Sequence, residues 1–75
     1  MTIETKNSVY DVEKSTDGTL KLTKMAQKVE NPRALFAVGQ SVTVNAMHYF
    51  ATTKTMAFDL PTGNRFVTSE VLRFL

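Results

Sequence analysis

The sequence predicts a small, mainly β domain of about five to six strands, with an N-terminal hairpin and one or two short helical turns. Three observations predict it. Threonine is unusually common, with 11 residues in a chain of 75, and Thr and Val dominate the periodic segments, which suits a pleated, half-buried surface. Apolar side chains recur at every second position through most of the chain, the period of a strand with one buried face. The three glycines, Gly18, Gly39 and Gly63, stand singly between those segments, where turns are needed.

The first element is a hairpin over 8–24. Val9–Glu13 and Thr19–Thr23 place Tyr10 and Val12, then Leu20 and Leu22, on alternate positions. Between them Asp17-Gly18 supplies the positive φ that a hairpin turn needs. Residues 25–40 form a connecting segment. Lys24–Val29 suits either a helical turn or a continuation of the strand. Asn31-Pro32 has the form of a helix N-cap followed by proline at the first helical position, so Arg33–Phe36 is expected to make a short helical turn that Gly39-Gln40 ends. Barrel strands are expected over 41–75. In the first, Val42, Val44, Ala46, His48 and Phe50 share one face, and Thr43, Asn45, Met47 and Tyr49 share the other. Met56, Phe58 and Leu60 alternate in the next strand, and Pro61-Thr62-Gly63-Asn64 is a turn. Arg65–Val67 begins another strand, Thr68-Ser69-Glu70 is a tight turn, and Val71–Leu75 is the last short strand.

The run Phe36-Ala-Val-Gly39-Gln-Ser-Val42-Thr-Val44, followed by a hairpin, then Thr62-Gly63-Asn-Arg-Phe66-Val67 and Thr68-Ser-Glu-Val71-Leu, resembles small Src-homology-3-like barrels of the Tudor or KOW type. The resemblance covers residues 35–75. It implies a five- to six-stranded barrel and a one-turn helix at Thr68-Ser69-Glu70, before the closing strand. The family's aromatic cage and peptide groove have no counterpart here, with no Trp and only two, widely separated Tyr, so its methyl-lysine and proline-rich ligands do not carry over. Fold alone does not assign function.

Composition narrows the classes. Seventy-five residues make a single domain, 43% hydrophobic, with no cysteine for disulfides or thiolate metal sites. The N-terminal segment lacks the apolar core of a signal peptide, and the longest apolar run, Ala34–Val38, is far short of the ~20 residues of a membrane span. A cytoplasmic protein is expected. Net charge is +2, which permits nucleic-acid binding without arguing for it.

The chemistry of catalysis is thinly represented. There is no Cys, and the single histidine, His48, shares a predicted face with Val44 and Phe50, which reads as a barrel-end histidine packed on an aromatic rather than a base. Asp11, Glu13 and Asp17 could hold a divalent cation weakly, but a solvated strand face with Asp17 used by the turn explains them as well. No phosphate-binding glycine pattern occurs. No enzyme, cofactor or metal is expected.

Two surfaces remain. Lys21, Lys24, Lys28 and Arg33 lie within thirteen positions interrupted by Glu30 alone, and with Lys54 and Arg65, and Arg73 beyond them, they could form one phosphate-binding face. Solvated lysines are the competing reading. Phe36, Met47 and Tyr49 are candidates for a protein interface, Met47 and Tyr49 on the predicted outer face, against the alternative that a bulge or second sheet buries Met47. The closing strand either pairs with an N-terminal strand or presents an edge to another chain. The leading expectation is a non-catalytic protein-binding adaptor or inhibitor of a larger host protein. Phage accessory proteins are a familiar source of such small domains, and a chain running from Met1 to Leu75 without a linker suits a short reading frame. A nucleic-acid-binding module using 21–33, a structural subunit and a homo-oligomer are the alternatives.

Overall fold

The computed structural model describes residues 1–30 and 34–75. Eight strands are present, and no helix occurs among the described residues. They are β1 (Thr2–Thr5), β2 (Ser8–Lys14), β3 (Leu20–Gln27), β4 (Ser41–Val44), β5 (Ala46–Phe50), β6 (Thr55–Asp59), β7 (Arg65–Val67) and β8 (Val71–Phe74). They form two antiparallel sheets, one ordered β4-β3-β2-β1-β8 and the other β5-β6-β7. The β class is as expected; the two sheets do not close into a barrel, and no helical turn is found among the described residues. Asn31, Pro32 and Arg33, on which the N-cap reading rests, lie outside the described residues. Phe36, the end of that proposed turn, has no helical structure, and Thr68–Glu70 is an irregular link rather than a one-turn helix.

The hairpin forms as the alternation dictates. Val12 stands opposite Leu22 and Glu13 opposite Lys21, with Tyr10, Val12 and Leu22 buried. Gly18 takes φ +89°, where an L side chain is strained, and the Asp17 carboxylate accepts from the Thr19 backbone N–H and hydroxyl. That bonding accounts for Asp17 and removes it from any cation site. β3 continues to Gln27, the strand option for Lys24–Val29, but with a bulge. Tyr10 pairs with Lys24 and Val9 with Ala26, so Met25 is the extra residue.

The expected long strand over 42–50 breaks at Asn45. β4 ends in the first sheet, and β5 starts the second after the Asn45 backbone N–H donates to the Asp59 carbonyl. The break reverses the alternation. Val44 is fully buried, but Ala46, His48 and Phe50 then face outward, and Met47 turns in to pack on the core opposite Phe58. Met47 is therefore inward and not on the expected outer face, because a corner between two sheets re-phases the strand. His48 does not share a face with Val44 and is not packed at a barrel end. It is exposed, and its Nε2 lies 2.8 Å from Asp59 Oδ2.

The core fills the space between the sheets: Ile3, Tyr10, Val12, Leu22, Val44 and Val71 from one, Met56 and Phe58 from the other, with Phe36 closing one end. Phe66 is the hub of its aromatic part. Its ring lies edge-on to Phe36 at 4.9 Å and to Tyr10 at 5.8 Å, and stacks on Phe58 at 6.2 Å. The expected turn at 61–64 is present, with the Leu60 N–H donating to the Asn64 carbonyl at 2.8 Å. No helix among the described residues is long and apolar enough to cross a membrane.

Candidate functional site

β8 is the edge of the five-stranded sheet. Leu75 exchanges both backbone hydrogen bonds with Thr2, which makes the next pair, Ile3 and Phe74, a non-hydrogen-bonded pair. The N–H and C=O of Phe74 consequently point away from β1, toward the open edge. No described strand pairs on that side, and only the start of the edge is covered, where the Val71 N–H donates to the Lys54 carbonyl of the β5–β6 turn at 2.6 Å. Arg73 secures the paired side, its Nε 2.7 Å from Glu4 Oε1. Along the edge Leu72, Phe74 and Leu75 are 51%, 47% and 70% exposed, and the Phe74 ring meets Tyr49 of β5 edge-on at 5.5 Å. Tyr49 is the sequence-predicted interface residue that stays exposed, although it reaches this rim from the core-facing side of its sheet. Phe36 does not stay exposed: it is a core residue at 6%.

The start of β8 is held by hydroxyl groups. Thr5 Oγ1, fully buried, donates to the Ser8 carbonyl and accepts from the Ser8 N–H and the Ser69 hydroxyl, all within 3.0 Å. Ser69 Oγ in turn accepts from the Asn7 N–H, and the Lys6 N–H donates to the Glu70 carbonyl at 2.8 Å. This network sits at the register shift between Glu4 and Thr5, where the β1–β8 ladder loses its regular pairing. None of it was foreseen, because Thr5 and Ser69 are 64 positions apart.

The basic candidates do not converge. Lys21 is exposed, opposite Glu13. Lys28 donates to Glu4 and to the Thr5 carbonyl, and with Arg73 it holds the Glu4 carboxyl below its ordinary value. Arg65 binds Asp59 at 2.7 Å with its guanidinium 5.9 Å from the Phe50 ring centre. Arg65 first and His48 second hold the Asp59 carboxyl below its ordinary value. Lys54 is exposed in the β5–β6 turn, and Arg33 is outside the described residues. No three carboxylate or imidazole groups gather to hold a metal among the described residues.

Lys24 departs furthest from a solvated lysine. It is 4% exposed, on the inner face in line with Leu20 and Leu22. The bulge at Met25 puts Gln27 on that same face, and Lys24 Nζ donates to Gln27 Oε1 at 2.5 Å and to the Phe36 carbonyl at 3.0 Å. Lys24 lines a cleft of about 380 Å³ whose walls include Ser8, Tyr10, Phe36, Phe66 and Ser69. Burial pushes the Tyr10 phenol up, and a hydrogen bond with Ser8 opposes that.

Comparison of the chain with known protein families, curated proteins and solved structures returned no match.

Proposed function

We propose that the chain is a non-catalytic protein-binding domain that takes an extended segment of a larger protein as an added strand along β8. The carrying observation is that β8 offers outward-facing backbone groups beside exposed Leu72, Phe74 and Leu75, with Tyr49 packed on Phe74. Sheet edges in soluble proteins are ordinarily blunted by charge, proline or a covering element. The one charge on this strand, Arg73, is occupied with Glu4. Added strands gain affinity from main-chain hydrogen bonds and selectivity from the side chains beside them, which is what this edge provides. Loose packing does not account for the exposed apolar groups. The accessible surface is 4814 Å², close to the ~4,600 Å² of a compact monomer of this mass.

Nucleic-acid binding through 21–33 has less support. Lys24 is buried and Lys28 is committed to Glu4, which leaves few free cations to displace counterions.

The test is capture from nuclease-treated lysate of the native cell, using the wild-type chain, Leu72→Lys on the edge and Met25→Lys on the opposite, exposed side. A partner held by wild type and Met25→Lys, and lost by a Leu72→Lys variant with an unchanged circular dichroism spectrum, is expected. A partner held equally by all three, or no partner at all, overturns the reading.

A further inference from the structure

We infer that the cleft at Lys24 is a binding site for a monocarboxylate carried on an apolar body. The inference is independent of the β8 edge. A buried ammonium normally faces a carboxylate, because a charge taken out of water is costly unless it is paired. Lys24 Nζ is bonded to two oxygens, Gln27 Oε1 and the Phe36 carbonyl, and both are neutral. No described carboxylate lies within ion-pair distance of it. Two donated protons leave a third for a ligand. The countercharge that the fold omits is one that a bound anion would supply.

The surroundings select the kind of anion. Tyr10 stands directly opposite Lys24 in the β2–β3 ladder, on the same face, which brings the two side chains to about 5 Å at Cβ. A tyrosine phenol is protonated at neutral pH, so Tyr10 can donate beside the ammonium. One cation balances one negative charge. A phosphate dianion would carry a second, unbalanced charge into the cleft. The rest of the wall is mixed, with Asn7, Thr68 and Ser69 polar, but the Phe36 and Phe66 rings, 4.9 Å apart, stand beside Val29 and Leu35 and give one apolar side that suits an apolar body on the acid. A volume of about 380 Å³ admits one such group. The carboxylate could belong to a free acid or to the last residue of a peptide.

Three probes separate these outcomes in ¹H–¹⁵N spectra of the whole chain: phenylacetate, its neutral analogue phenylacetamide, and N-acetylphenylalanine, which stands for a peptide end. Saturable shifts at Ser8, Lys24 and Phe36 with phenylacetate are expected, with affinity at least about tenfold weaker for the amide, the usual worth of a charge-assisted hydrogen bond. N-acetylphenylalanine binding more tightly than phenylacetate assigns the site to peptide ends, and weaker binding assigns it to free acids. Inorganic phosphate should give no saturable shift in the cleft. Lys24→Met should lose phenylacetate by a similar factor. Should that variant fail to fold, the acid–amide comparison on the wild-type chain still decides. Equal binding of acid and amide, saturable binding of phosphate at the cleft, undiminished binding by a folded Lys24→Met, or no saturable shift overturns the inference.

Discussion

Replacing Thr5 by Val should destabilise the domain more than replacing it by Ser. Val keeps the branched shape and loses the hydroxyl; Ser keeps the hydroxyl and loses a methyl. Thr5 is fully buried and its oxygen makes three hydrogen bonds, two with the Ser8 backbone and one with Ser69. In Thr5→Val the Ser69 hydroxyl, which is half-buried, can turn to water. The Ser8 N–H cannot, because Ser8 is itself buried at 4%. A buried donor left without an acceptor costs ~1–3 kcal/mol, and the lost bonds add to it, so the total is about 2–4 kcal/mol. Thr5→Ser removes one buried methyl, about 1 kcal/mol. A chain of this length has only about 4–11 kcal/mol of stability in all. At ~4–8 °C per kcal/mol, Val should lower Tm by at least about 8 °C and Ser by about 4–8 °C. Urea unfolding followed by circular dichroism measures both. A Val variant as stable as the Ser variant, at equal m, would refute the claim that the hydroxyl network fixes the start of β8.

Phe58→Ala removes a fully buried ring stacked on Phe66, and should cost ~3–5 kcal/mol in the same urea assay, a large share of the domain's stability. Gly18→Ala meets no neighbouring atom but must hold φ +89°, so it should cost about 1–2 kcal/mol, and Gly18→Asn less. Asp59 and Glu4 have carboxyl pKa values lowered in the fold, so their contribution is present above the ordinary values of 3.8 and 4.5 and is lost as pH falls through the lowered ones. Thermal melts below pH 4.5 should therefore show a shallower acid loss for Asp59→Asn and Glu4→Gln than for wild type; parallel curves would contradict this.

The elements that were legible in the sequence are those whose cause is local. Tyr10 and Val12 against Leu20 and Leu22, the turn at Asp17-Gly18, and the Met56–Phe58–Leu60 alternation need only neighbours in the chain. The failures come from single residues that change phase. Asn45 turns one strand into two, which sends Met47 inward and His48 outward. Met25 is an inserted bulge residue, which brings Lys24 and Gln27 to one face when strict alternation would separate them. Lys24 nevertheless gave a signal: it is third in the inner-face series Leu20, Leu22, Lys24, where a solvated lysine does not belong. The Thr5–Ser69 bond and the β8 edge depend on pairing between the two ends of the chain, which periodicity within a segment does not encode.

One segment links the two surfaces. Thr68 and Ser69 line the Lys24 cleft, Glu70 accepts from Lys6, and Val71 then opens β8. The cleft wall and the open edge therefore share the Thr5–Ser69 anchor. A substitution at Thr5 disturbs both and cannot assign a role to either, whereas Leu72→Lys and Lys24→Met each alter one. If the captured partner uses only the edge, Lys24→Met leaves its affinity unchanged and the double variant matches Leu72→Lys. If the partner's chain also seats a carboxylate in the cleft, both single variants weaken it. The double variant then departs from the sum of the two, as residues acting on one bound chain do.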